Sequence, residues 1–197
     1  MGGNTSTVTK QPYRPGARRW QAVFEYIEAT PQLQDIVVSG GDSYSLQAAD
    51  LWAIGSRLVD IPHIRRFRFA SKGLAVWPSR LLDRRDGWFD ALIAVARKAR
   101  REGKGMALHT HFNHPNEISW ITREACQRLY EEGVCVRNQS VLLRGVNDDV
   151  ETMGTLLRML MDNHVKPVSH LSKFFHSHSD HHHHHCSPHR SAVCRGR

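Results

Sequence analysis

Apolar positions along this chain fall into two alternating periods, short runs of strand character and longer stretches with helical spacing, from Arg18 to Lys166. Trp20, Val23, Phe24 and Ile27 predict a first helix, and Asp35–Ser39 a short strand running into Gly40-Gly41. Leu51, Ile54, Leu58 and Ile61 stripe a second helix. Ile64–Ser71 then alternates, with Phe67 and Phe69 on one face and Arg66 and Arg68 on the other. A long helix through Trp88, Leu92, Val95 and Ala99 ends at Gly103 and leads into a strand over Met106–Phe112. The stretch Ile118–Glu132 carries Ile121, Ala125 and Leu129 on one side and is stopped by Gly133, before a strand over Val134–Leu143. Asp148-x-x-Glu151 has capping-box spacing and opens a helix through Met153, Leu157 and Leu160, followed by a last strand, Val165–Val168.

Five strands separated by four helices specify an α/β protein whose strands are parallel and whose crossovers are right-handed, in an open sheet or a barrel. Functional residues are then expected at the C-terminal ends of the strands. Three regions follow: a flexible leader at 1–17, the α/β body at 18–168, and a disordered His-rich tail at 169–197, too poor in apolar residues to repay the entropy of ordering.

Composition changes this picture in two places. The net charge of +8 suggests nucleic acid, but nine of the 14 histidines and a net +3 belong to the tail, so no nucleic-acid partner is expected. No apolar run is long enough to span a membrane, and four cysteines in two distant pairs point to a reducing compartment, the cytoplasm. The first 24 residues contain no acid, which also fits a mitochondrial presequence.

Candidate chemistry sits where the topology wants it. Ser39-Gly40-Gly41-Asp42 follows the first strand; its glycines would let backbone approach a ligand and Asp42 would accept from an ammonium group, or the segment is a tight turn with Asp42 as helix cap. His109 and His111 share a face at the end of the third strand with His114 beyond, as in a metal-dependent barrel hydrolase. The later strands offer Asn138, Gln139 and Asn147 rather than further metal ligands, which favours polar lining of a ligand pocket. Arg66 and Arg68, with Lys72 beyond them, either bind a carboxylate or phosphate inside a barrel or mark a solvated edge strand. Arg137 and Gln139 alternate in the same way on the fourth strand.

Together, Ser39–Asp42, Arg66–Gly73, His109–Glu117 (HTHFNHPNE), Arg137–Leu143 (RNQSVLL) and Arg144–Asp149 (RGVNDD) resemble the lysine 2,3-aminomutase family of radical S-adenosylmethionine (SAM) enzymes, over about Arg18 to Pro167. The resemblance implies a partial (β/α) barrel. It also implies a [4Fe–4S] cluster on a CxxxCxxC motif that cleaves SAM, and pyridoxal phosphate (PLP) carrying the migrating amino group of an amino-acid substrate. Under it Ser39, Gly40, Gly41 and Asp42 receive the amino group of SAM, His111 and Gln139 line its pocket, and the turn Gly145–Asn147 lies near the adenine.

The departures are as informative. Cys126 and Cys135, like Cys186 and Cys194, are too far apart for CxxxCxxC, and Lys173 lacks the setting of the PLP lysine. The family's cluster loop would precede Arg18, and its substrate aspartates and PLP lysine would follow Pro167. The chain is therefore expected to hold barrel strands two to six, to keep only elements of the SAM pocket, to lack catalytic residues and metal ligands, and to be inactive by itself. The other readings are a non-catalytic SAM-pocket remnant, a module completing a partner's barrel, or a metal-dependent hydrolase. Two exposed sheet edges predict self-association.

Overall fold

The alternating pattern of Ile64–Ser71 orients the sheet. Phe67 and Phe69 are buried beneath the helices, while Arg66 and Arg68 stand on the opposite, open face. The computed structural model, which describes residues 17–39 and 41–172, sets this strand, β2 (Arg66–Ala70), between β1 (Asp35–Val38) and β3 (Gly105–Thr110). An edge-strand reading of the two arginines is thereby excluded. β4 (Cys135–Leu142) and β5 (Val165–Ser172) complete a sheet of order β1-β2-β3-β4-β5, every neighbouring pair parallel. β1 and β5 are its two edges, so the α/β sheet is not closed. The leader, Gly40 and the tail beyond Ser172 lie outside the described residues.

A monotonic order of parallel strands with crossovers of one hand puts every connecting helix on the same side. The helices are α1 (Ala17–Glu28), α2 (Ala48–Asp60), α3 (Gly73–Val76), α4 (Trp88–Arg101), α5 (Trp120–Glu131) and α6 (Val150–Asp162). The predicted stripes of α2 and α4 are all buried, as are Phe24 and Ile27 of α1. Among the described residues no helix is long and apolar enough to cross a membrane.

Several details differ from the sequence pattern. Val23 is half exposed, and Phe24 and Ile27 are the buried residues that seat this helix, with Arg57 of α2 lying over the Phe24 ring. In α6 the buried stripe runs through Leu156 and Leu160 rather than Leu157. Its N-cap is Asp149, whose carboxylate accepts from Thr152 N at 2.7 Å, because Asp148 is used one residue earlier to close a turn onto Gly145 N at 2.9 Å. β5 continues to Ser172 by a register shift opposite Asn138/Gln139 that leaves Val168 outside the pairing, just after Pro167. A proline cannot donate to a ladder, and an edge strand with a bulge is where one is tolerated.

Two close contacts hold the helical layer. A Cβ at Gly55 of α2 would stand 2.6 and 2.7 Å from the two methyls of Val95 on α4, so glycine is what permits that approach. Arg80, in the 3-10 turn Pro78–Leu81, is buried. Its Nε lies 2.9 Å from both Asp86 oxygens, its other nitrogens donate to the carbonyls of Tyr44 and Leu46, and the rings of Tyr44, Trp77 and Trp88 surround it. A buried guanidinium is tolerated only when its donors are met in this way.

Both contacts predict measurable losses. Gly55→Ala should lower stability in urea unfolding by about 1–3 kcal/mol through overpacking, with Val95→Ala in the same chain restoring part of it. Arg80→Met should cost about 3 kcal/mol or more, since it strands the Asp86 carboxylate.

Candidate functional site

At the tip of β1 the chain turns through Gly41, whose φ of +80° lies in the region side chains rarely adopt. Nothing stands within 4 Å of where a Cβ would be, so conformation, not crowding, calls for glycine here. Asp42 then caps the 3-10 turn Ser43–Ser45. Oδ1 accepts from Tyr44 N at 2.8 Å and Oδ2 from Lys72 N at 3.0 Å, joining the loops after β1 and β2. The capping role is therefore real, and each oxygen retains a second lone pair. The same two loops are joined again where Ser43 Oγ donates to Ala70 O at 2.8 Å.

The next join is ionic. Lys72 Nζ donates to Glu117 Oε1 at 2.7 Å, and Glu117 Oε2 accepts from the backbone amides of Asn113 and His114. Burial by itself would raise the pKa of Glu117, but Lys72 and the two amides outweigh it and hold the carboxyl below its ordinary value. Glu117 thus anchors the HTHFNHPNE segment to the loop after β2. The sequence marked it only as part of a motif; its place two residues after Pro115, in a turn that exposes amides, is the local signal.

The histidines do not converge. His109 and His111 lie on the open face as alternation requires, but His114 turns aside to cap the 3-10 turn Pro115–Glu117, accepting from Asn116 N at 3.1 Å. Among the described residues no three potential metal ligands come together, which removes the structural basis of the hydrolase reading. The pKa of His109 lies below the ordinary histidine value, first through burial and then through the cations of Arg68 and Arg137, against a weaker pull from Asp35.

Beyond Thr110 the chain leaves the β-ladder, and asparagine side chains take over its hydrogen bonds. Asn138 clasps Phe112, accepting from its N at 2.7 Å and donating to its O at 3.1 Å, while Asn113 Oδ1 accepts from Val141 N at 2.9 Å. Asn147, fully buried, donates to Asn113 O and Val141 O and accepts from Leu143 N.

Ser39, Gly41, Asp42, His111 and Gln139 line one cavity of about 410 Å³ at the strand tips, together with Arg68 and Lys72. Gly145 and Asn147 do not line it. Gly145, at φ +71°, belongs to the turn closed by Asp148, and Asn147 is committed to the clasp just described. Gly40 lies outside the described residues.

No family model matches the chain. Individual proteins do. It is 38% identical to the L-lysine 2,3-aminomutase of Clostridium subterminale over 149 residues, 76% of this chain and 33% of that protein. It is 35% identical to the L-lysine 2,3-aminomutase of Escherichia coli (strain K12) over 150 residues, 76% of this chain and 41% of the relative. A glutamate 2,3-aminomutase of Clostridioides difficile (strain 630) is 34% identical over 147 residues, 75% of this chain and 32% of the relative. The chain thus spans about a third to two fifths of the length of these curated relatives. Matches of this identity, over three quarters of the chain and an α/β sheet of parallel strands, place it in the lysine 2,3-aminomutase family.

Proposed function

We propose that this chain supplies the SAM-binding wall of a lysine 2,3-aminomutase-type barrel, and that these 197 residues by themselves do not carry out amino-group migration. The observation that carries the reading is the convergence of Ser39, Gly41, Asp42, His111 and Gln139, from three separate segments, on one cavity. The cavity suits the amino-acid end of SAM. Asp42 keeps acceptor capacity for an ammonium group, and Arg68 and Lys72 bring positive charge where a carboxylate is complementary. His111 and Gln139 add a ring nitrogen and an amide for the rest of the ligand. Gly145 and Asn147 act indirectly, by holding the loop behind Gln139. Bound SAM would supply the deoxyadenosyl group with which the family abstracts hydrogen from an amino acid, lysine or a related one.

Among the described residues, the other family cofactors find no fitting groups. Cys126 is buried within α5, where burial pushes its thiol up to about 12, far from the thiolate an iron–sulfur cluster requires. Cys135 lies at the N-terminal end of β4, away from the cavity at the strand tips. Lys72, which lines the cavity, has its amine engaged by Glu117 at 2.7 Å and so is not a free amine presented to PLP. The open edges β1 and β5 are where a second copy or a completing partner would pair.

Calorimetry on the iron-free chain should detect SAM binding, and Gly41→Val should weaken it about tenfold or more, because a β-branched residue resists φ +80°. No binding by the parent chain would sink the assignment of the cavity. Anaerobic reconstitution with iron and sulfide should leave the chain short of four irons, and no β-lysine should form from lysine with SAM and PLP. Four irons per chain with β-lysine formation would overturn the inactivity.

A further inference from the structure

The lower half of the open face carries charge that the cavity at the strand tips does not use. His109, Arg137 and Lys166 are register partners on β3, β4 and β5, so their side chains leave the sheet on the same side. Asp35 is the sole carboxylate on the five strands, and it is already engaged, with Arg66 Nε at 2.7 Å and an Arg68 nitrogen at 3.3 Å. Arg137 has no hydrogen-bond or ion-pair partner among the described residues. Like charges side by side on neighbouring strands are destabilising, and an anion between them relieves the repulsion.

Room for it exists. β3 contributes Gly105 and Ala107 at this level, and their small size leaves a hollow of about 90 Å³ bounded by Asp35, Arg66, Arg68, His109 and Arg137. His109, which lines both this hollow and the strand-tip cavity, has its Nε2 buried without a hydrogen-bond partner, a cost native structures rarely leave unmet. A hollow this small admits the head of a ligand and not a polymer strand.

We infer that this hollow is a seat for a small oxyanion, a carboxylate or phosphate group, held between Arg68 and Arg137 with His109 Nε2 as a further donor. Guanidinium groups offer paired donors matched to such an anion, and the two arginines reach it from β2 and β4 across the gap that Ala107 leaves. The seat adjoins the proposed SAM cavity and shares Arg68 and His109 with it, while Asp35, Arg66, Gly105 and Arg137 line the seat alone. An anion here also offsets the two cations that, after burial, lower the pKa of His109, so the imidazole binds its proton more tightly when the seat is filled. The charged groups facing His109 are Asp35 on β1, Arg66 and Arg68 on β2, Arg137 on β4 and Lys166 on β5.

The test uses the full chain labelled with ¹⁵N-histidine, titrated near neutral pH with sodium phosphate and, separately, sodium acetate at constant ionic strength. The His109 resonance is identified by its loss in His109→Gln. A saturable shift of that resonance, with its titration midpoint raised by about one unit or more, is the expected result. The stronger of the two ions identifies the anion class. Arg137→Gln should weaken binding about tenfold or more, Ala107→Leu should abolish it by filling the hollow, and Arg84→Gln, an equal loss of charge outside this face, should leave it unchanged. Failure of both ions to shift His109, or equal weakening by Arg84→Gln and Arg137→Gln, overturns the proposal. Because Arg137 is outside the SAM cavity, SAM binding that survives Arg137→Gln separates this seat from the function proposed above.

Discussion

A strand that leaves its sheet must still satisfy its amides, and this constraint governs the top of the molecule. Past Thr110 the chain has no neighbouring backbone to pair with, yet Phe112 is fully buried and its peptide groups cannot turn to water. Asn138 meets them with a side-chain amide, accepting from Phe112 N and donating to Phe112 O, while its second N–H goes to Ser140 Oγ at 2.8 Å. Ser140 adds a second donor to Phe112 O at 2.9 Å, and Asn147 repeats the device one layer further out. Each such bond contributes only about 1 kcal/mol net, but a group left unmet would cost more, so the set stands or falls as one. With Phe112 clamped, His111 is carried to the open face beside Gln139.

The same logic, with charge added, joins the other loops. Asp42 reaches from the first to the second, and Lys72 with Glu117 from the second to the third. No β-ladder runs between these loops, and the polar links take its place. The open face below them is different in kind. Its side chains project from rigid strands, their spacing is set by the register, and among the described residues its positive charge is relieved at Asp35. One sheet therefore presents two surfaces, loops held by mutual hydrogen bonds above and a rigid row of cations beneath.

Much of this was legible in the sequence. Period-two and period-3.6 patterns located all five strands and the four long crossover helices, because both periods report burial on one side and the helices cover one side of the sheet throughout. Phe67 and Phe69 against Arg66 and Arg68 are the clearest case. The short turns around Tyr44, Gly73 and Arg80 left no periodic trace, since their residues are fixed by contacts distant in sequence. For the site, alternation brought His111 and Gln139 to one face, and the glycine turn brought Asp42 to the same cavity. Asn147 sat in a recognisable motif but does its work inside the wall. Nothing in the sequence separates an asparagine that meets a ligand from one that meets a peptide group. The Asp148 cap was misplaced by one residue because two adjacent aspartates each had a turn to close.

Gly73 illustrates how far a contact can act from where it is made. A Cβ there would lie 2.3–2.5 Å from three ring atoms of Tyr44, and Tyr44 follows Asp42 by two residues in the same turn. The ring cannot retreat, because its hydroxyl donates to Trp77 O and its face abuts Trp88 and the Arg80 guanidinium. Any side chain introduced at 73 would therefore be transmitted as a displacement of the Asp42 carboxylate. A substitution at this buried helix start, which does not itself line the strand-tip cavity, would then reach that cavity through Tyr44 and Asp42.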